Sequence, residues 1–353
     1  MARAPRPLKS EAVAAPAEPD LMDWVTPPRQ AAALVGHTEA RALIEEAFAR
    51  SAPQALLLVG PRGIGKATLA FRLARTLLTQ APITAALQSD PDHRASHQIG
   101  AGTHPGLLHL TRPYDDKTKR HKADLTVDVV RRVVPFLGGT AAAGGWRVVI
   151  VDAVDDLNPN AANALLKSLE EPPRQTLFIL IAHIAGKVLP TLRSRCRTIS
   201  LRPLPDEDVA AVLRHMERNP SLANEAEGSV RRALAMDGAG ADVMARARRL
   251  LTPDAIKDLR QHHALADLAA QRKDDNFAVI VDLVLDTFAA RARAGAATLP
   301  PEALDAYAKV FMGALKERRG VEILNLDRKE FVLSLCSALA DADRLARGGS
   351  ASR

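Results

Sequence analysis

Ten consecutive residues, Val59-Gly60-Pro61-Arg62-Gly63-Ile64-Gly65-Lys66-Ala67-Thr68, carry the most specific chemistry in the sequence. Glycines at this spacing let backbone N–H groups turn inward around a phosphate. A helix beginning at the lysine adds positive potential, and Lys66 can bridge phosphate oxygens. One position departs from the pattern. The residue after the lysine should carry a hydroxyl for magnesium, and it is Ala67. Thr68 is no simple substitute, because one step along a helix turns a side chain by about 100°. A second acidic motif, Val148-Val149-Ile150-Val151-Asp152, ends a buried-strand pattern in a carboxylate suited to orienting magnesium through water. Hydrolysis also needs a carboxylate to polarise the attacking water, usually the next residue, and that residue is Ala153. Asp155 and Asp156 read as a solvated turn ahead of Asn158. The pattern predicts a phosphate-binding fold that does not hydrolyse vigorously.

The elements that must position these residues are legible in the hydrophobic periodicity. Short apolar runs at 55–59, 107–110, 147–151, 177–182 and 198–201 predict strands, with helices between most of them. Leu69, Leu73 and Leu77 line one helix face. Asn158-Pro159 starts another helix with an N-cap oxygen and a residue whose missing N–H costs nothing there, and Pro172-Pro173 ends it. Strands separated by helices imply a parallel sheet covered on both faces. Beyond Leu201 the strands stop. A helix opens at Pro205-Asp206, and further helices are expected at 225–237, 254–272, 276–293, 301–318 and 327–346.

The chain has 353 residues, enough for two or three domains. Only 3% of them are aromatic, which argues against an aromatic platform for single strands. Two cysteines, Cys196 and Cys336, rule out a disulfide framework or a four-cysteine zinc site, and both read as packing residues. The longest apolar run is about six residues, far below the roughly 20 that span a bilayer. With no signal-peptide core at the N-terminus, a cytoplasmic location is expected. The net charge of +7 is compatible with acidic partners. Residues 1–22 hold four prolines and six alanines without periodicity and read as a disordered tail.

Several stretches resemble one family. Leu165-Leu166-Lys167-Ser168-Leu169-Glu170-Glu171-Pro172-Pro173 resembles the LLK-LEEPP segment of bacterial clamp-loader subunits, and Leu192-Arg193-Ser194-Arg195-Cys196 resembles their Ser-Arg-Cys motif. Val35-Gly36-His37, Gly102-Thr103-His104-Pro105 and Val127-Asp128-Val129-Val130-Arg131 resemble other family segments. Gly228-Ser229-Val230-Arg231-Arg232-Ala233-Leu234 resembles the sensor-2 helix. The matches run from about residue 34 to 237. The resemblance implies an α/β AAA+ P-loop core with a parallel sheet (23–203), a small helical lid domain (204–245), an all-α C-terminal collar (246–346) and a tail (347–353). It also implies a place in the DNA polymerase III holoenzyme, a nucleotidyltransferase. There the chain would join a hetero-pentameric ring with gamma/tau and delta subunits, which loads a sliding clamp onto primed DNA during replication.

The loss at Ala67 and Ala153 points to a stator-type member without ATPase activity of its own. For such a member the resemblance implies that Arg195 acts in trans as an arginine finger on a neighbour's ATP. Gly60, Gly63, Gly65, Lys66, Thr68, Asp152 and Arg231 would form a degenerate nucleotide site with weak ATP or ADP binding. Two departures stand out. Family members often carry a four-cysteine zinc module, but 89–100 has no cysteine, and His93, His97 and His104 are read as loop histidines, so no zinc is expected. His183 stands where the sensor-1 strand usually ends in Thr or Asn. Blander readings stay open: Lys66 satisfying carbonyls at the helix start, Arg195 and Arg231 as ordinary surface or capping residues, and the basic run 117–122 as a solvated loop. An active AAA+ motor of a clamp loader or branch-migration complex, and a small-molecule P-loop kinase, are the alternative functions.

Overall fold

A computed structural model describes residues 25–31, 33–115, 117, 120–122, 124–139, 145–237, 241–270, 276–324 and 327–347. The tail expected at 1–22, and residues 348–353 of the C-terminal one, lie outside these. Arg347, assigned to that tail, instead follows the last helix and donates to the Pro253 carbonyl at 3.2 Å.

Five strands form one parallel sheet: β1 (Ala55–Val59), β2 (Leu107–Leu110), β3 (Arg147–Asp152), β4 (Thr176–Ala182) and β5 (Arg197–Ser200). Their spatial order is β2-β3-β4-β1-β5. All seven residues of β4 are buried, as a central strand covered on both faces requires. Side chains alternate between faces with period two. Leu56, Leu58, Val148, Ile150, Ile179 and Ile199 pack with the helices Thr38–Arg50 and Lys66–Leu78 on one face. Leu57, Val149, Val151, Phe178 and Leu180 pack with the helix Pro159–Glu170 on the other. That helix starts as expected, with the Asn158 side chain accepting from the Ala161 N–H at 2.8 Å. In this order β1, from which the glycine loop leaves, lies between β4 and β5 in an open parallel α/β sheet of the P-loop kind. Ligands of open α/β sheets bind beyond the carboxyl ends of the strands, where connections diverge to the two sides. Here that point lies at the ends of β1, β3 and β4.

Two helical clusters follow the sheet. Leu204, Val209, Leu213, Ala223, Ala233 and Leu234 form the first, around the helices Asp206–His215 and Val230–Asp237. The helix expected over 225–237 is split. A 3₁₀ turn ends at Glu225, and Gly228 breaks the chain at φ 76°, where a Cβ would meet the Leu204 carbonyl oxygen at 2.6 Å. The second cluster holds helices from Ala241 to Ala346. The boundary expected at 245/246 falls inside the helix Ala241–Leu250, whose Met244 and Ala247 pack on the C-terminal core. Buried polar contacts tie this part together: Arg291 pairs with Asp343, and the Tyr307 hydroxyl donates to Asp343 at 2.6 Å. Arg232 joins the two clusters by pairing with Glu227 at 2.8 Å and with Asp286. No helix among the described residues is long and apolar enough to cross a membrane.

Candidate functional site

The loop 60–65 leaves the end of β1 and delivers the chain into the helix that begins at Lys66. Gly63 and Gly65 take φ of 77° and 97°, the left-handed region that a side chain would strain. Gly60 is glycine for a different reason: a Cβ there would sit 2.4 Å from the Leu201 carbonyl oxygen. Lys66 is only 4% exposed, and its ammonium donates to the carbonyls of Gly60 at 2.7 Å and Pro61 at 2.5 Å. Lys66 thus satisfies carbonyls of the loop that leads into its own helix. Burial lowers the Lys66 pKa to about 8, against the opposing pull of Asp152 and Asp155.

A cavity of about 310 Å³ opens beside the loop. Gly63, Gly65, Lys66, Thr68, Asp152 and Arg231 all line it. Gly60 sits behind, as an acceptor for Lys66. Ala67 and Ala153 line the same cavity, so methyl groups occupy the places of the metal hydroxyl and the general base. Much of the remaining wall is apolar, including Leu34, Val35, Ile181, Met216 and Leu234. The lid is seated directly on the loop: the Arg231 N–H donates to the Gly63 carbonyl at 3.3 Å, and the Ser229 hydroxyl to the Arg62 carbonyl at 3.3 Å. His37 fixes the loop from the other side. Its Nε2 lies 2.6 Å from the Ile64 carbonyl, and since that oxygen only accepts, Nε2 carries the proton.

Asp155 and Asp156 are not a solvated turn. They lie in a 3₁₀ turn, with Asp156 buried and 3.4 Å from the Arg112 guanidinium. Both Asp155 carboxylate oxygens accept from the His183 N–H, each at 3.1 Å. Burial raises the Asp155 pKa. His183 lines the cavity while its backbone takes up Asp155, which ties the end of β4 to the turn after β3.

The histidines expected in a loop near 89–100 are placed by a helix, Arg94–Ala101. His93 is its N-cap, with Nδ1 accepting from the Ala95 N–H at 3.1 Å, and His104 Nδ1 accepts from the Gly106 N–H at 3.0 Å. Among the described residues no three His, Cys, Asp or Glu side chains gather as a metal site. Cys196 is half-buried against the sheet core and Cys336 is buried, and burial pushes their thiols up to about 11 and about 12. Neither is poised as a nucleophile.

Arg195 lies outside the cavity. It follows the short helix Pro190–Arg193, and its side chain is 39% exposed. One residue the motifs did not reveal is His109, in β2. It lines the cavity, stacks edge-on against Phe71 at 5.0 Å, and its pKa is lowered to about 4, first by burial and then by Arg29 and Arg132. The only trace in the sequence is a histidine inside an apolar strand pattern, Leu107-Leu108-His109-Leu110.

Comparison with known proteins agrees with this geometry. Residues 37–205 match the family model described as DNA polymerase III, delta subunit. The chain is 41% identical over 184 residues to the DNA polymerase III subunit delta' of Pseudomonas aeruginosa, covering 52% of each chain. It is 40% identical over 153 residues to the same subunit of Escherichia coli K12, covering 43% of each. The tau subunit of E. coli K12 is 32% identical over 192 residues, covering 52% of this chain and 28% of tau. The matches thus span about half the length of the delta' relatives. Among solved structures, a gamma subunit-related protein of Thermotoga maritima aligns over 86% of this chain and 100% of its own, with 16% identity and a TM-score of 0.40. Over residues 37–205 this chain is thus similar to DNA polymerase III subunits of the delta' kind.

Proposed function

We propose that this chain is a non-hydrolysing clamp-loader subunit that assembles with gamma/tau and delta subunits in the cytoplasm. In that ring it holds a neighbour's ATP with Arg195 and helps open or place a sliding clamp on primed DNA. One observation carries the reading. The two groups that hydrolysis needs are replaced by methyls, Ala67 and Ala153, lining one cavity, while a solvent-accessible arginine stands outside that cavity. A fixed guanidinium stabilises charge on transferring phosphoryl oxygens and needs no working site in its own subunit. Asp155 does not take the place of the missing base, since it does not line the cavity and its carboxylate faces the His183 amide. An active motor would need a hydroxyl at 67 and a free carboxylate at 153. The test is reconstitution. Added to gamma/tau and delta subunits, the chain should complete a ring that gains clamp loading. No co-elution with those subunits, with no change in their activity, would refute the proposal.

The cavity keeps what a nucleotide without magnesium needs: an apolar wall, loop amides and Lys66. No zinc is required by this reading. Binding phosphates would draw Lys66 from the Gly60 and Pro61 carbonyls and favour its protonated form. Because the free lysine titrates near 8, ADP affinity should fall as pH rises above that value, by up to about tenfold per unit. Calorimetry in buffers of different ionisation enthalpy should show proton uptake at pH 9 and almost none at pH 7. An affinity that stays flat to pH 9.5 would mean that Lys66 does not touch the ligand. Ala67→Thr should tighten Mg-ADP binding without creating turnover, since Ala153 remains. Turnover in that variant would place the base elsewhere.

A further inference from the structure

We infer that Glu170 is a positioning residue for Arg195, an inference that rests on the finger role proposed above. The two are 25 residues apart in sequence and come from different elements. Glu170 is the last residue of the helix Pro159–Glu170, which the proline pair at 172–173 stops. Arg195 follows the short helix Pro190–Arg193. Its Nη2 donates to Glu170 Oε1 at 2.9 Å, and its Nη1 donates to the Thr191 carbonyl at 3.0 Å.

Two features make this contact more than a chance surface pair. First, a carboxylate at a helix C-terminus faces the negative end of the helix dipole, which disfavours it there by a few tenths of a kcal/mol or more. A cation seated on it offsets that penalty. Second, the acceptors divide the work between the two Nη groups. One fixed carbonyl and one carboxylate hold both, so the planar guanidinium is restrained in tilt and rotation together. Nε and the remaining Nη hydrogens are left for an external anion, and the group stays 39% exposed. An arginine that reaches across an interface loses less conformational freedom on binding when it is already held this way. Glu170 is itself 51% exposed and does not line the chain's own cavity, so its contribution is made through Arg195.

The contact can be read without the ring. In the isolated chain, nitrogen-15 NMR of the Arg195 guanidinium should show slowed rotation in the wild type and fast rotation in Glu170→Ala. Equal mobility in both would overturn the inference. In the reconstituted ring, Glu170→Ala should lower kcat for stimulated ATP hydrolysis by about two- to five-fold, the range expected of an exposed ion pair, with KM unchanged. Glu170→Gln, which keeps an acceptor oxygen, should recover most of the loss. The Glu170→Ala/Arg195→Ala double variant should be no slower than Arg195→Ala alone. If Arg195→Ala lowers the rate while Glu170→Ala does not, or if the two losses multiply, the positioning role falls and the finger stands. If Arg195→Ala itself has no effect, both fall.

Discussion

Replacing Arg195 by alanine is expected to leave the chain folded and the ring assembled, and to cut the ring's DNA- and clamp-stimulated ATPase. The side chain gives up only surface contacts, to Thr191 and Glu170, and exposed pairs of this kind contribute about 0.2–1 kcal/mol. The catalytic loss is of another order. Removing an arginine finger costs on the order of 10³-fold in other phosphoryl-transfer systems. The drop for the whole ring should be smaller, because its other sites keep their own fingers. Lysine should not restore the rate, since a point charge lacks the planar fork that spans two phosphoryl oxygens. Steady-state ATPase and clamp loading, with gel filtration of the same samples, measure this. Wild-type rates in an assembled Arg195→Ala ring would leave Arg195 a structural surface residue.

The second large effect concerns stability. His109 lies half-buried in the wall of the cavity beside the glycine loop with a pKa near 4, against 6.5 in an unfolded chain. Between those values the unfolded state binds the extra proton. Stability therefore rises with pH across that window and is lost as pH falls from about 6.5 to 4, with a limit of about 3 kcal/mol. Trp146 packs edge-on against Phe48 at 6.0 Å and gives a fluorescence signal from the α/β part. Urea unfolding followed this way should show a steep acid loss in the wild type and a shallower one in His109→Gln. Carboxylates titrate in both proteins, so the difference between the two profiles is the quantity to read. Parallel profiles would show that His109 is already solvated in the fold.

The α/β half of the fold was largely legible because its signals are local. An apolar run followed by Gly-Pro-Arg-Gly-Ile-Gly-Lys specifies a strand, a phosphate loop and a helix in order, and Asn158-Pro159 announces a helix start by its own cap chemistry. The strand expectations differ from the structure by a residue at most at either end. What local pattern cannot carry is pairing at long range. The Arg195–Glu170 contact, the Asp155 carboxylate beneath His183, and the lid residues Ser229 and Arg231 on the loop carbonyls all join segments the periodicity treats separately. Asp155 is a case in point: two adjacent acids before a helix start look solvated until β4 is laid beside them. The helix Ala241–Leu250 is not legible because its core residues Met244 and Ala247 are interspersed with Arg246, Arg248 and Arg249, and its packing face is defined only by the C-terminal core. In the site, the loop and the acid at the end of β3 were foreseen, whereas His109 had no motif to mark it.

On the proposed function, this chain supplies an arginine to a neighbour's site while its own site does no hydrolysis. Single-turnover ATP hydrolysis by the isolated chain, with protein in excess over nucleotide and magnesium present, tests it most directly. No ADP should form above the protein-free control, in the wild type and in Lys66→Ala alike. Magnesium-dependent ADP formation that Lys66→Ala abolishes would contradict it.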